Sequence, residues 1–592
     1  MSAPTALMPR WDMEIVFPSL DSPEFRAAYD AWCGSLDALG ALFDRHDVRA
    51  GSAATPDAFG EVVDAYNAVL TEVQPIRAFV HAFVTTDSRN DLAKEWMSRL
   101  EGKGVALGKL GTRFTAWTGS QDVEALIQAS PTAKAHAFAL RKARTAAEHL
   151  MAPSEEDLAA DLSLSGGNAW AKLHGTVSSQ IEVEIDGEAR PMSAIRNLAY
   201  DADRDVRRTA YEAELKAWRL WDAPLAAAMN GVKGEVGTLA ERRGWSPLDS
   251  ALFFAHIDRE TLDAMLGAAR ASFPDFRRYL RAKAKFLGLE RLAWYDLFAP
   301  TGKSGRKWSY FEGERFVAEQ FGTYSPKLRG FAERAFAERW VDAEPRPGKR
   351  DGAFCMGVRR DESRVLMNYK EAFGAVSTLA HELGHAYHNV CLAARTPLQK
   401  ATPMTLAETA SIFCETIVRQ AALQEGSRDD QFDILEAMLQ GACQIVVDIT
   451  SRFDFECAVF ERRSERELSA AELCELMLEA QRGTYGDGLD PDFLHPYMWA
   501  MKPHYYSAGR SFYNFPYMFG MLFGLGLYEV YRQDPDAFRE GYDDLLSSTG
   551  LDDAATLAQR FGIDIHSRAF WEAGLQSIAT DIDRFESLSV GS

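Results

Sequence analysis

Residues 381–388 read His-Glu-Leu-Gly-His-Ala-Tyr-His, and this octet decides more about the fold than any other stretch of the chain. It contains the pattern HExxH, in which His381 and His385 stand four residues apart. On a helix, that spacing puts both imidazoles on one face, where they can bind one zinc ion. Glu382 lies between them and would face the coordination position that a water molecule occupies. The octet therefore predicts a metal-binding helix.

A zinc ion and the carboxylate of Glu382 could together catalyse the hydrolysis of an amide bond. The ion lowers the pKa of a bound water and polarises a scissile carbonyl, while a nearby carboxylate moves the water's proton to a leaving amine. Glu382 is therefore the predicted general base. HExxH alone is only moderately specific, so the flanking sequence has to support this interpretation.

The flanking sequence favours a strand followed by a helix. Residues 365–369, Val-Leu-Met-Asn-Tyr, are predicted to form a short buried strand after the polar turn at 360–363. Residues 373–379 contain no proline and begin an apolar stripe at helical spacing. A strand followed by an HExxH helix is the arrangement expected of a zincin metallopeptidase. The alternative is a pair of buried structural histidines on an amphipathic helix.

A third metal ligand is expected on the next helix, which is predicted from just after Pro403 to Leu423. Glu408 lies in its first turn, 23 residues after His385. That spacing suits zincins that use two histidines and one glutamate and leave the fourth position open. Glu415 lies on nearly the same face and could orient a ligand histidine. The alternative for Glu408 is a solvated surface group, but its neighbours are apolar.

A second candidate cluster lies at residues 504–517. Positioned tyrosine or histidine donors stabilise the oxyanion of a hydrolytic tetrahedral intermediate. The candidate donors are His504, Tyr506, Tyr513 and Tyr517. Their spacing around Gly509 suits a mobile substrate-binding loop. The alternative is an aromatic-rich core segment, and a core role is predicted for Tyr505, Phe512 and Phe515.

Six stretches, spread over nearly the whole chain, share one resemblance. Three carry the chemistry: HELGHAYH at 381–388, LAETAS at 406–411 and KPHYYSAGRSFYNFPYMFG at 502–520. The other three are RWDMEIVFPSLDSPEF from residue 10, WYDLFAP from residue 294 and GKRDGAFC from residue 348. Together they resemble the oligoendopeptidase F branch of the thimet oligopeptidase family.

The resemblance implies a zinc-dependent endopeptidase that hydrolyses short peptides. It implies His381, His385 and Glu408 as the ligands of one zinc ion, with Glu382 as the general base. The implied fold is mainly α: a two-lobed helical zincin with a small β-sheet beside the HExxH helix and a deep substrate channel.

The resemblance also bears on the second cluster. In the family, a histidine in a Gly-rich loop is followed nine residues later by a tyrosine, and His504 and Tyr513 keep that interval. The family's further tyrosines, five and twelve residues after the histidine, fall in this chain on Gly509 and Pro516. Either Tyr506 or Tyr517 would then supply the additional donor.

Two other features flank the metal motif. Residues 352–356, Gly-Ala-Phe-Cys-Met, are predicted to form an edge strand that aligns an extended peptide by main-chain hydrogen bonds. An ordinary sheet edge is the alternative. His388 extends the octet but departs from the geometry of the first pair, so it is predicted either to be structural or to contact a metal ligand without binding the ion itself.

Helical periodicity dominates the remaining sequence. Helices are predicted at 57–85, 91–117, 203–243, 259–287 and 311–340. One hairpin is predicted, because Ile181–Ile185 alternates and Asp186-Gly187 is a favoured tight turn. With 592 residues, the chain is expected to form two lobes. The predicted division is an N-terminal helical lobe, 1–198, which carries the hairpin, and a catalytic lobe, 199–592.

The composition of the chain argues against two classes of partner, nucleic acids and membranes. The net charge of −21 argues against nucleic acid, since no basic patch is present. No apolar run approaches the roughly 20 residues of a membrane helix, and no signal peptide is visible. The seven cysteines are scattered without metal or disulfide spacing. We therefore predict a cytoplasmic protein whose partners are short peptides, with no nucleic-acid or membrane partner.

Two other function classes stay open at this point. A zinc carboxypeptidase or peptidyl-dipeptidase on the same scaffold would need a cation for the substrate's free carboxylate, and Arg510 is its best candidate. A non-catalytic peptide-binding protein could keep the fold without the chemistry, although the intact Glu382 argues against it.

Overall fold

The computed structural model describes residues 7–185, 187–302 and 304–589. Helices make up most of this part of the chain, and only two small sheets accompany them within the described residues. The predicted mainly α fold is confirmed. None of the described helices is both long and apolar enough to cross a membrane.

The described part of the chain contains 26 α-helices. The first thirteen are α1 (Pro23–Arg45), α2 (Pro56–Thr86), α3 (Asp91–Gly119), α4 (Val123–Ala129), α5 (Pro131–Ala135), α6 (Ala137–Glu148), α7 (Pro153–Ser163), α8 (Gly167–Gln180), α9 (Met192–Asn197), α10 (Arg204–Leu220), α11 (Asp222–Arg242), α12 (Pro247–Phe254) and α13 (Arg259–Phe286). The others are α14 (Tyr310–Tyr324), α15 (Pro326–Ala337), α16 (Phe373–Cys391), α17 (Met404–Ala407), α18 (Thr409–Glu425), α19 (Arg428–Cys443), α20 (Ile449–Arg463), α21 (Ala470–Tyr485), α22 (Met498–Met501), α23 (Phe515–Gln533), α24 (Pro535–Ser547), α25 (Ala554–Gln559) and α26 (Arg568–Ser589).

Five strands form the two sheets. Strands β1 (Glu182–Ile185) and β2 (Glu188–Pro191) form the predicted antiparallel hairpin, with Gly187 at a φ of +78°. Asp186, the other predicted turn residue, lies outside the described residues. The second sheet contains β3 (Val341–Asp342), β4 (Phe354–Arg359) and β5 (Glu362–Leu366) in the order β3-β5-β4. Strand β4 runs antiparallel to β5 at the edge of this sheet, and it overlaps the edge strand predicted at 352–356 over residues 354–356.

The predicted helices at 57–85, 91–117 and 259–287 correspond to α2, α3 and α13 within two residues at each end. The predicted helices at 203–243 and 311–340 are each two helices, with breaks at Trp221 and Ser325. At the second break, Pro326 disfavours the helical conformation of the residue before it. Ser325 is extended and its side chain accepts a hydrogen bond from the backbone N–H of Leu328 at 3.1 Å, which starts a new helix.

Contacts between Cα atoms divide the chain into two compact units. The first contains the described residues up to His149 together with 306–421 and 530–557. The second contains 150–305, 422–529 and the described residues from 558 onward. The predicted boundary near residue 198 lies within the second unit, and the division into lobes 1–198 and 199–592 stays a prediction.

In the first unit, helices α1 to α3 build an apolar core around Phe25, Trp32, Phe59, Phe79 and Trp117. These side chains are at most 1% exposed, and each contributes about 1.5–3 kcal/mol when fully buried. Helix α2 also packs against β4, and α16 packs against both β4 and β5. The HExxH helix is thus held against the small sheet.

Candidate active site

Helix α16 presents two different faces. Val376, Leu379, Ala380, Leu383 and Ala386 are fully buried at helical spacing, and they form its packing face. The side chains of His381 and His385 lie off this face and are each 24% exposed. The apolar stripe therefore orients the helix so that both histidines point away from the core.

Gly384 allows a second helix to come very close to α16. A Cβ atom at this position would lie 2.5 Å from the Cα of Ser411, in the first turn of α18. The helix predicted from Pro403 to Leu423 is in fact two helices, α17 and α18, interrupted at Glu408. Direct contact between the two backbones brings Glu408 within reach of both histidines.

The ligand atoms of His381, His385 and Glu408 converge, and we call these residues the metal trio. Oε2 of Glu408 lies 3.3 Å from Nε2 of His381 and 3.4 Å from Nε2 of His385. One ligand atom from each lies within 4.8 Å of the others. A tetrahedral ion about 2.0–2.2 Å from each donor requires separations of roughly 3–4 Å. The trio therefore fits zinc and leaves a fourth position open.

The outer atoms of the trio are held by further polar side chains. Nδ1 of His381 donates to Oε2 of Glu415 at 3.1 Å, which leaves Nε2 as the metal-facing atom. Ser377 donates to the other oxygen of Glu415 at 2.9 Å. Ser411 donates to Oε2 of Glu408 at 2.6 Å. Glu415 thus makes the kind of orienting contact that its position in the sequence indicates.

The charges of the trio suit a cation. Burial alone would raise the pKa of Glu408, but contacts with both histidines and Ser411 lower it to about 2. Burial lowers the pKa of His385 to about 4. Burial also opposes protonation of His381, yet Glu408 and Glu415 raise its pKa well above the usual value. A metal ion binds ionised carboxylates and neutral histidines. Glu408 and His385 are in these states, and the two carboxylates around His381 favour a positive charge at the site.

Glu382 is the carboxylate between the two histidines. Glu382 is 6% exposed, and its Oε2 has no hydrogen-bond partner within the described part of the chain. Burial, with smaller contributions from Glu408 and Glu415 against an opposing one from His381, raises its pKa to about 7. A buried carboxylate oxygen without a partner is costly, which makes Glu382 a candidate for a functional role.

A cavity of about 1210 Å³ contains these groups. Its walls include the metal trio, Glu382, residues 353–357 and parts of α2 and α3, all from the first unit. Burial together with the nearby Glu382 raises the pKa of the Cys355 thiol on β4. Strand β4 therefore passes beside the predicted general base.

His388 has a different role from the other histidines of the octet. It is buried, and its Nε2 lies 3.1 Å from the carbonyl oxygen of Leu546 and 2.9 Å from the hydroxyl of Thr549. The neighbouring Tyr387 donates to Asp543 at 2.6 Å. Both residues connect α16 to the end of α24, in keeping with a structural role for His388.

The predicted donors at 504–517 belong to the second unit. The rings of His504 and Tyr513 stack at 4.7 Å, and the hydroxyl of Tyr517 donates to that of Tyr513 at 3.1 Å. Tyr506 is buried and stacks on His174 at 3.8 Å. Tyr505, Phe512 and Phe515 are buried core residues, as predicted. The catalytic roles of His504, Tyr506, Tyr513 and Tyr517 stay predictions.

Comparison with known proteins places the chain in a family. The model of peptidase family M3 matches residues 197–577. The chain belongs to peptidase family M3. The model described as oligopeptidase F matches residues 118–182 of this M3 peptidase. As a member of the family, it is a metallopeptidase that acts on oligopeptides.

Several proteins are similar to this M3 peptidase. Group B oligopeptidase PepB of Streptococcus agalactiae is 23% identical, over 86% of this chain and 87% of that protein. Oligopeptidase PepF of Bacillus subtilis is 22% identical, over 98% of this chain and 87% of that protein. The crystal structure of oligoendopeptidase-F from Enterococcus faecium matches with a TM-score of 0.66 at 17% identity, over 96% of this chain and 99% of that one. The last match supports the fold.

The contact between Glu415 and His381 leads to a first prediction. Glu415→Gln should weaken zinc binding by about 10–100-fold, because the amide no longer holds His381 with an ionised acceptor. Competition with a chromophoric chelator measures the change, and circular dichroism should stay unaltered. Ser377→Ala is the matched control, since it leaves the Glu415 carboxylate in place and should have a smaller effect. An unchanged zinc affinity in Glu415→Gln would contradict the orienting role.

Proposed function

We propose that this M3 peptidase is a zinc-dependent endopeptidase that hydrolyses short peptides. The observation that carries the proposal is the convergence of the metal trio beside the buried carboxylate of Glu382 in one cavity. In this proposal, His381, His385 and Glu408 hold one zinc ion. No other cluster of three metal-binding side chains occurs among the described residues, in keeping with one ion per chain.

The proposed chemistry divides between the ion and the protein. When bound, zinc supplies polarisation of the scissile carbonyl and a lowered pKa for water. Glu382 accepts the proton of the attacking water at Oε2, the atom without a protein partner among the described residues, and transfers it to the leaving amine nitrogen. The carboxylate of Glu415 keeps the imidazole of His381 in the required orientation.

Strand β4 is the proposed alignment element for the peptide. Residues 353–357 line the cavity, and β4 has one edge that no other strand covers within the described residues. An extended peptide can bind such an edge through main-chain hydrogen bonds. This mode tolerates many side chains, as a general oligopeptidase requires.

Other parts of the proposal rest on the family resemblance and on spacing. They are a deep substrate channel, oxyanion donation by His504 and Tyr513, and a further donor at Tyr506 or Tyr517. The start of the M3 match at residue 197 supports a catalytic lobe beginning near 199. The seven free thiols support a cytoplasmic location.

The function is tested with a short fluorogenic peptide blocked at both ends. We expect the M3 peptidase to cleave it, to lose activity after treatment with 1,10-phenanthroline, and to regain activity with one equivalent of zinc. A carboxypeptidase or peptidyl-dipeptidase would need a free carboxyl terminus, so the same peptide with free ends is the control. Cleavage confined to the free-ended peptide would favour that alternative, and cleavage after metal removal would contradict zinc dependence.

A further inference from the structure

The cavity of the first unit holds a cation that the proposed chemistry does not use. Lys400 ends the short 3-10 turn Pro397–Lys400 and lines the same cavity as the metal trio. It is half-buried. Its Nζ forms no ion pair or hydrogen bond within the residues that the structure describes.

Three lysines whose side chains are at most 1% exposed each have a carboxylate partner. Nζ of Lys233 lies 2.6 Å from Glu456, Nζ of Lys283 lies 2.6 Å from Glu436, and Nζ of Lys349 lies 2.6 Å from Asp342. This is the ordinary pattern, because an ammonium group loses hydration when it is buried and needs compensation. Lys400 lacks that compensation among the described residues.

The pKa of Lys400 is in keeping with the absence of a carboxylate partner. Burial lowers its pKa, and no carboxylate of the described chain acts against that shift. For Lys349, burial also lowers the pKa, but Asp342 opposes the shift. The carboxylates that line the cavity do not pair with Lys400: Glu408 is engaged by the two histidines and Ser411, and Glu382 and Glu101 form no ion pair with it.

We infer that Lys400 binds a carboxylate of the peptide substrate, a role that rests on the proposed peptidase function. A peptide carries such groups at its C-terminus and on aspartate and glutamate side chains. The net charge of −21 disfavours the approach of acidic peptides, so a local cation inside the cavity is what would accept one. Strand β4 would bind the main chain, and Lys400 would add selectivity for a negative charge.

Matched peptides separate the two sources of the carboxylate. One pair differs only in a free or amidated C-terminus, and a second, amidated pair differs only in an internal glutamate or glutamine. We expect wild type to prefer one acidic peptide, and Lys400→Gln to lower kcat/KM for that peptide by about 10–100-fold, the loss typical of a hydrogen bond to a charged group. The neutral member of the pair should change by no more than a few-fold.

Three variants control the experiment. Lys400→Arg should keep most of the preference because it retains the charge. Lys134→Gln removes one positive charge from an exposed position of the same unit outside the cavity wall and should behave as wild type. Arg77→Gln removes the exposed cation of α2 that also lines the cavity and should leave the preference in place. Zinc content and melting temperature show that each variant is folded.

The inference is overturned if wild type shows no preference within either pair. It is also overturned if Lys400→Gln slows all four peptides equally, or if the preference is lost in Arg77→Gln instead. If wild type cleaves none of the peptides, the proposed function fails. Calorimetric binding of the four peptides to Glu382→Gln, with and without Lys400→Gln, still tests Lys400 in that case. A shared Kd for acidic and neutral peptides would then count against it.

Discussion

Glu382→Gln is expected to lower turnover by about 10²–10⁴-fold while zinc stays bound, the range typical of a lost general base. The amide has nearly the shape of the carboxylate but cannot accept the water's proton. Folding should not suffer, because Oε2 of Glu382 has no protein partner to lose among the described residues. Turnover of the blocked fluorogenic peptide and zinc content by mass spectrometry are the two measurements.

Glu101→Gln is the matched control for this experiment. Glu101 lines the same cavity but is exposed on α3, away from the interval between the two histidines. Its substitution should change turnover by no more than a few-fold. Glu382→Gln with activity near that of wild type would remove Glu382 from the mechanism.

Glu408→Ala is expected to lose most of its bound zinc. Oε2 of Glu408 lies 3.3–3.4 Å from both ligand nitrogens, so the variant keeps two of three donors and cannot complete the site. In zinc-buffered solution, turnover should fall at least as far as in Glu382→Gln. Zinc affinity, turnover and circular dichroism measure the three effects, and the helical signal should stay nearly intact.

Ser411→Ala tests whether the carboxylate itself is responsible. It removes the hydroxyl that donates to Oε2 of Glu408 at 2.6 Å but leaves the carboxylate in place, so most of the zinc should remain. Wild-type zinc affinity in Glu408→Ala would show that another group is the third ligand. Glu415 would be a poor substitute, because it bonds to Nδ1 of His381 on the side away from the trio.

The parts of the site that could be predicted from sequence depend on local spacing. His381 and His385 share a helix face because they are four residues apart, and the buried stripe of α16 is visible as an apolar repeat. Strand β4 and the hairpin β1–β2 are short local elements as well. Glu408 depends more on the family resemblance, because its distance from the histidines does not follow from helical periodicity.

Other features depend on contacts that no local pattern reports. Gly384 occupies an unspecified position of HExxH, and its need for a small residue arises from the backbone of Ser411. The break at Glu408 divides what reads as one continuous helix. Lys400 lies in a stretch without a motif, and its place in the cavity follows from tertiary packing alone. No sequence pattern predicts the backbone contact at Gly384 or the position of Lys400 in the cavity wall.

The first unit is assembled from three separate stretches of chain, and this affects its biosynthesis. The contacts of Tyr387 and His388 with Asp543, Leu546 and Thr549 span 156–161 residues. At about 5–20 residues per second, the ribosome would deliver these partners roughly 8–30 s after the HExxH helix. During that interval α16 lacks part of its packing, and contacts of such long range form slowly. The nascent chain therefore passes through a period in which the HExxH helix lacks these contacts with α24, and we expect chaperones to act on it then.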